Sequence, residues 1–267
     1  MVPPPKPDED FPWWLVFAVG LAGLFLFYIV NDGIYLQVLR TLGKGVGITV
    51  FVTLVGFACA SVIGLGLAVA SMSRFQVLRQ IARFYIEIIR GIPIIVLLLY
   101  VAFVFAPALV ALRNGLGDLV GMDPIRTREF SLLWRAIVAL TIGYSAFIAE
   151  VFRAGLQAVE IGQIEASKAL GLNGWQRFRH IIWPQAFRMI LPPLGNDFVA
   201  MVKDSSLVSV LGVADITQLG KVTAAGNFRY FETYNVVAFV YLLMTVSLSL
   251  VLRRLEKRLR AKGEVDT

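Results

Sequence analysis

Asn196 and Asp197 stand together in a largely apolar stretch just after Pro192–Pro193, and Tyr144, Ser145 and Glu150 stand in another. Polar and ionisable groups inside apolar helices are costly, and they mark solute paths or ion pairs. With a span over 183–203, Asp197 lies a few residues past its middle, about 6 Å at the helical rise. The two prolines are expected to loosen the backbone there, and broken helices are a common place to build a site within a membrane. On one reading Asp197 faces the ammonium group of a solute, with Asn196 and Tyr144 offering hydrogen bonds. On the other it pairs with Lys203 or Arg188 and ties helices together. Glu150 has Arg153 at i+3 on the same helical face near a span end, which suits an ion pair or gate better than solute contact.

Covalent chemistry finds little support. His180 is the only histidine and lies in a basic loop, so a Ser–His pair, a multi-histidine metal site or a haem pair has little to work with. Cys59 is the only cysteine; it permits no intrachain disulfide and reads as a small buried packing residue in an apolar run. No G-x-x-x-x-G-K-[ST] pattern occurs, since Gly43-Lys44 and Gly220-Lys221 lack the following Ser or Thr. If solute movement is driven by ATP, the nucleotide is handled by another chain.

These residues sit in a chain of 267 that is 58% hydrophobic and only 16% charged, with mean hydropathy +0.74. Soluble domains are nearer a quarter charged. Apolar runs approach or exceed the ~18 residues that cross a bilayer, so the expected fold is all-α, a polytopic membrane protein with six spans. The spans fall at 13–30, about 46–72, 92–112, 134–155, from 183 to about 203, and 234–252. Residues 1–12 read as a short extended tail. The net charge of +7 comes from residues flanking apolar runs rather than from a basic stripe interleaved with aromatics, which argues against nucleic acid. With six spans both termini share a side, and that side carries sixteen of the 25 Lys and Arg residues. The bias puts both termini, the 74–90 segment and the 165–184 segment in the cytoplasm. The 74–91 stretch has polar residues at 76, 79, 80, 83, 87 and 90, one stripe of an amphipathic helix whose solvated face meets lipid headgroups.

The stretch EASKALGLNGWQRFRHIIWP, residues 165–184, is polar and basic in this oily chain. Gly171 suits a left-handed helix end and Asn173 an N-cap, so a helix–turn–helix is expected. Pro184 is expected to turn the chain into the fifth span. Small residues at Ala166, Ser167 and Ala169 keep one face low for another protein, with Glu165 and Lys168 at its rim; an ordinary solvated loop is the alternative.

The spacing Glu165-Ala166-Ser167, Gly171, Ile181, Trp183-Pro184 resembles the EAA loop of ABC importer permeases, with Ser167 for the usual third small alanine and Trp183 for the usual leucine. RGIPIIVLLLY (90–100), GYSAFIAEVFRAGLQAV (143–159) and KDSSLVSVLGVAD (203–215) narrow the resemblance to the polar amino-acid, histidine/glutamine-type subfamily. It covers about 46–255 and implies a type I ABC importer transmembrane domain (MetI-like). Residues 1–45 would then be a tail and an added anchor, 46–255 the permease domain with its coupling segment at 160–184, and 256–267 a cytoplasmic tail. The resemblance implies a permease subunit in the cytoplasmic membrane with no catalytic residues and no cofactor or metal of its own. Its coupling residues would be Glu165, Ala166, Ser167, Gly171, Ile181 and Pro184; the substrate path expected from the polar groups within the spans is Asn196, Asp197, Tyr144 and Ser145. The implied partners are ATP-binding cassette subunits carrying ATP and Mg, a second permease subunit, an extracytoplasmic substrate-binding protein, an amino acid and membrane lipid. An ion-coupled secondary transporter or channel is the rival, and it leaves 165–184 without a purpose.

Overall fold

The computed structural model describes residues 13–264, with side chains to Lys257. The expected extended tail at 1–12 and the last residues of the C-terminal tail lie outside the described residues. Among those described there is no strand. The helices are α1 (Trp13–Asn31), α2 (Gly33–Ser71), α3 (Gln76–Gly91), α4 (Ile94–Tyr100), α5 (Ala106–Asp118), α6 (Leu132–Gln157), α7 (Ile161–Ala169), α8 (Gly174–Arg177), α9 (Trp183–Asp204), α10 (Ile216–Asn227) and α11 (Tyr230–Glu264). Short π turns at Val101–Phe105 and Phe178–Ile182 join α4 to α5 and α8 to α9, and a 3-10 turn, Ser205–Leu211, follows α9.

Among the described residues, five helical stretches are long and apolar enough to cross a membrane: Trp13–Asn31, Gly33–Ser71, Ile94–Asp118, Leu132–Gln157 and Tyr230–Lys257. The expected fifth span, α9, is not among them, because Arg188, Asp197, Lys203 and Asp204 dilute its apolar character. It is nevertheless 22 residues long and packs along α2, α6 and α11. The second span starts at Gly33 rather than near 46, so the expected boundary at 45 falls inside one 39-residue helix. Arg40 and Lys44 made this stretch read as a connection, but its opposite face buries Tyr35, Val38 and Leu42 against Val236, Val237 and Phe239. Asp32 starts it by accepting the Ile34 and Tyr35 amides, which turns α1 directly into α2.

The central pair is α2 with α6. Gly56, Ala60, Gly64 and Ala68 recur every fourth residue on α2 and are all buried, a stripe low enough for close backbone approach. A side chain on Gly64 would meet Ser145 O and the Ala149 amide at about 3 Å. Gly56 faces Leu140 while Gly64 faces Ile148, so the two helices run parallel. α9 runs antiparallel to α6, since Tyr144 reaches Asp204 whereas Gly155 meets Ile190.

Gly45 fits against the backbone of Asp215 and Ile216, 2.6 Å from where a Cβ would be. Gly45→Ala must therefore push α10 off α2. We expect a loss of about 1–3 kcal/mol, read as a lower thermal unfolding midpoint, while Gly47→Ala, which meets nothing within 4 Å, leaves the midpoint unchanged or slightly raised.

Both π turns precede a proline, Pro107 and Pro184. Proline brings no N–H to the ladder, and the wider turn absorbs that loss inside a continuous helix. Side-chain donors take carbonyls in these turns: Arg135 donates to Ala102 O at 2.9 Å and Gln185 to Ile181 O at 2.9 Å. The helix expected to stop at Pro184 thus continues through it, and Gly174 to Asp204 is uninterrupted helix. Pro192 and Pro193 do not break it either. Ile190 against Gly155 and Gly195 against Leu252 clamp the helix on both sides of the pair.

Candidate functional site

Asp197, Met201 and Asp204 recur at i, i+4 and i+7 on α9, which places them on one face. That face meets α6: Tyr144 donates to Asp204 Oδ2 at 2.8 Å, and Asp197 lies within electrostatic range of Tyr144. Asp197 Oδ2 is buried without a hydrogen-bond partner among the described residues. The ion pairs among those residues are Glu150–Arg153 and Arg229–Glu232, so neither Lys203 nor Arg188 neutralises Asp197. A buried carboxylate oxygen left without a donor costs about 1–3 kcal/mol or more, so this group is poised to accept one.

Ser61 Oγ on α2 is likewise buried and unpartnered. Gly56 faces both Met201 and Leu140. One helical turn along from each of these three residues come Ala60, Asp197 and Tyr144, with Ser61 beside Ala60. These two of the three buried unpartnered oxygens among the described residues, the third being Thr233 Oγ1, therefore share a level of the bundle. Ser61 gave no signal in the sequence, being one small residue among many; Asp204 could have been found from its spacing to Asp197.

The other expected path residues behave differently. Asn196 is exposed, off the face that carries Asp197. Ser145 is buried and committed: its hydroxyl lies 2.9 Å from Tyr85 Oη and 2.8 Å from Ile142 O. Tyr85 on α3 also donates to Ile142 O at 3.2 Å, and burial pushes its hydroxyl above the ordinary tyrosine range, keeping it protonated.

Arg153 binds Glu150 through two nitrogens, at 3.3 and 2.5 Å, and reaches Gln157 at 2.9 Å. Arg83 and Arg90 of α3 act on the same carboxylate, and Arg90 lies 5.8 Å from the Phe147 ring centroid. Part of the polar stripe of α3 therefore faces α6 rather than headgroups. Val77, Ile81, Phe84 and Ile88, spaced i, i+4, i+7 and i+11, are its exposed apolar face.

Between α6 and α9 lies a polar knuckle. Just past the end of α7 stands Gly171, whose φ of 77° is left-handed, a conformation glycine adopts without Cβ strain. Asn173 then caps α8: its side chain accepts from the Gln176 amide, and Gln176 returns the bond to the Asn173 amide. Gln185 Nε2 donates to Gln163 Oε1 at 2.5 Å, which braces α7 against the root of α9. Glu165, Ala166, Ala169 and Pro184 are exposed, Ile181 is half-buried, and Ser167 turns inward, donating to Ile164 O at 2.6 Å. The low outer face is thus carried by Ala166 and Ala169 without Ser167. Ile161, Leu170 and Trp175 stand 73%, 80% and 65% exposed around it, more apolar surface than an ordinary solvated loop carries. His180 is exposed in the π turn that leads into α9, and Cys59 on α2 is exposed rather than buried as expected.

Residues 60–261 match the family model described as binding-protein-dependent transport system inner membrane component. The glutamine transport system permease protein GlnP of Escherichia coli K12 is 37% identical over 217 residues, covering 81% of this chain and 92% of that protein. The probable amino-acid permease protein YxeN of Bacillus subtilis is 35% identical over 211 residues, covering 79% and 88%. Among solved structures, an amino acid ABC transporter crystallised with histidines superposes with TM-score 0.68 at 36% identity, covering 82% of this chain and 94% of that one. An inward-facing MetNI methionine ABC transporter gives TM-score 0.63 at 24% identity, a likeness of fold.

Proposed function

Because this chain belongs to the binding-protein-dependent transport system inner membrane components, we propose that it is the permease subunit of an ATP-driven importer for a polar amino acid. The observation that carries the coupling is the knuckle at 161–184: exposed, shaped by Gly171 and Asn173, and continuous with α9. Two cassette ATPases, carrying ATP and Mg, grip this knuckle on two permease subunits, and a substrate-binding protein delivers the solute outside. Both termini lie in the cytoplasm. The permease itself performs no bond chemistry.

The rod from Gly174 to Asp204 is about 45 Å long at the helical rise. Movement imposed at its foot therefore reaches Asp197 and Asp204 through continuous helix. In one state Asp197 takes the ammonium of the amino acid, with Tyr144 and Ser61 as its hydrogen-bonding neighbours. Asn196 stands at the margin of the path and Ser145 holds its wall through Tyr85. The Glu150–Arg153 pair, with Arg83 and Arg90 beside it, closes the path toward the knuckle. When the ATPases close, the two knuckles approach and the α9 rods tilt, exchanging access from one side to the other; hydrolysis resets them.

The test is uptake by proteoliposomes holding the complete transporter. We expect accumulation to require ATP and to persist with an ionophore present. Accumulation lost to the ionophore and indifferent to ATP would establish the ion-coupled alternative.

A further inference from the structure

A cleft of about 230 Å³ opens between α9, α11 and the first turn of α1, lined by Lys203, Arg253, Trp14, Thr245 and Ser249 with Val199. Three features set it apart. Its two cations enter from opposite ends: side chains lean toward the N-terminus of their own helix, and α9 and α11 are antiparallel here, Gly195 meeting Leu252 while Val202 shares a groove with Met244 and Leu248. Lys203 and Arg253 therefore converge. Neither has a carboxylate within ion-pair distance among the described residues; the adjacent Asp204 is turned away to Tyr144. Finally, Arg253 lies 6.0 Å from the Trp14 ring centroid, so α1 helps to fix the guanidinium.

Two converging cations without a counter-charge, on helices set among lipid tails, call for an anion. The Ser249 and Thr245 hydroxyls bond to backbone carbonyls at 2.7 and 2.8 Å, so the cleft wall is polar without supplying negative charge. We propose that this cleft holds a phosphate-bearing anion, clasped by Lys203 and Arg253 and walled by Trp14. Two sources carry that chemistry, the headgroup of an acidic phospholipid and free phosphate. α1 precedes residues 60–261, which match the family model, so the site uses a wall outside that segment. Through Lys203 its occupancy bears on the same rod that carries Asp197.

The experiment uses the intact transporter in two arms. In the first, native mass spectrometry compares retention of phosphatidylglycerol and phosphatidylcholine. Wild type is expected to hold phosphatidylglycerol roughly 10-fold better. Lys203→Gln with Arg253→Gln should erase the preference, Lys203→Arg with Arg253→Lys should keep it, and Trp14→Ala should weaken it about 2- to 5-fold. Arg254→Gln with Lys257→Gln, outside the cleft, should leave it intact. In the second arm, millimolar inorganic phosphate is added to delipidated protein and the thermal midpoint is followed. Stabilisation by phosphate that depends on Lys203 and Arg253, without lipid preference, assigns the site to the free anion; lipid preference without phosphate stabilisation assigns it to the headgroup. If the double glutamine variant does not assemble, the wild-type preference and the Trp14→Ala loss decide alone. Equal retention of the two lipids with no phosphate effect, or full retention by the glutamine variant, overturns the proposal.

Discussion

Asp197→Asn is expected to lower ATP-driven uptake roughly 10- to 100-fold, the range set by about 1.5–3 kcal/mol for a hydrogen bond to a charged group. The substitution keeps the shape of the side chain and removes its charge. The bundle gains little from that charge, because among the described residues Asp197 Oδ2 has no donor and Asp197 enters no ion pair. The complex should therefore assemble at wild-type yield with an unchanged or slightly higher thermal midpoint. A helix tie would behave in the opposite way, falling in stability and yield together. Uptake equal to wild type in the asparagine variant would take Asp197 out of the path. Tyr144→Phe separates the neighbouring role: it releases Asp204 Oδ2, which Tyr144 holds at 2.8 Å, so stability should fall along with uptake.

Ala166→Trp is expected to reduce uptake by a similar factor or more for a different reason. Ala166 is exposed on the outer face of α7, so the indole displaces nothing within this chain and folding should be untouched. Against a closely fitted partner, overpacking costs about 1–3 kcal/mol, and each 1.4 kcal/mol is tenfold in occupancy. The permease should be recovered with less ATPase subunit bound, and transport should fall in step with that loss. Lys168→Ala, at the rim of the same face, should act weakly, because rim charges contribute little.

Much of this arrangement was legible in the sequence because it depends on neighbours in the chain. The helical spans, the stripe on α3, the turn at Gly171 and the cap at Asn173 follow from periodicity and backbone preference. Glu150 and Arg153 were visible for the same reason, three residues apart on one helix. Pro184, Pro192 and Pro193 misled, since each is a helix breaker taken locally. The structure keeps α9 whole by a π turn before Pro184, a side-chain bond from Gln185 to Ile181 O, and clamps at Gly155 and Leu252. None of these is a property of the proline and its neighbours alone. The early start of α2 was hidden likewise, because Arg40 and Lys44 are polar while the opposite face is buried by residues almost 200 positions away. Tyr144 and Asp197 are recognisable in the sequence as costly groups within apolar spans. Which oxygen lacks a partner depends on the meeting of α2, α6 and α9, and that brought in Ser61 and Asp204 only once the helices were placed.

The continuous α9 rod changes what the knuckle can do. A broken helix at Pro184 would dissipate a push, whereas a continuous one is expected to transmit it. The most direct measurement joins that foot to its motor. With Cys59→Ser, Ala166→Cys and a cysteine on the facing surface of the ATPase subunit, oxidation should form one covalent adduct between the two chains. Uptake should stop, and reduction should restore it. Full-rate uptake with no adduct to an ATPase subunit from any position of α7 would contradict the account.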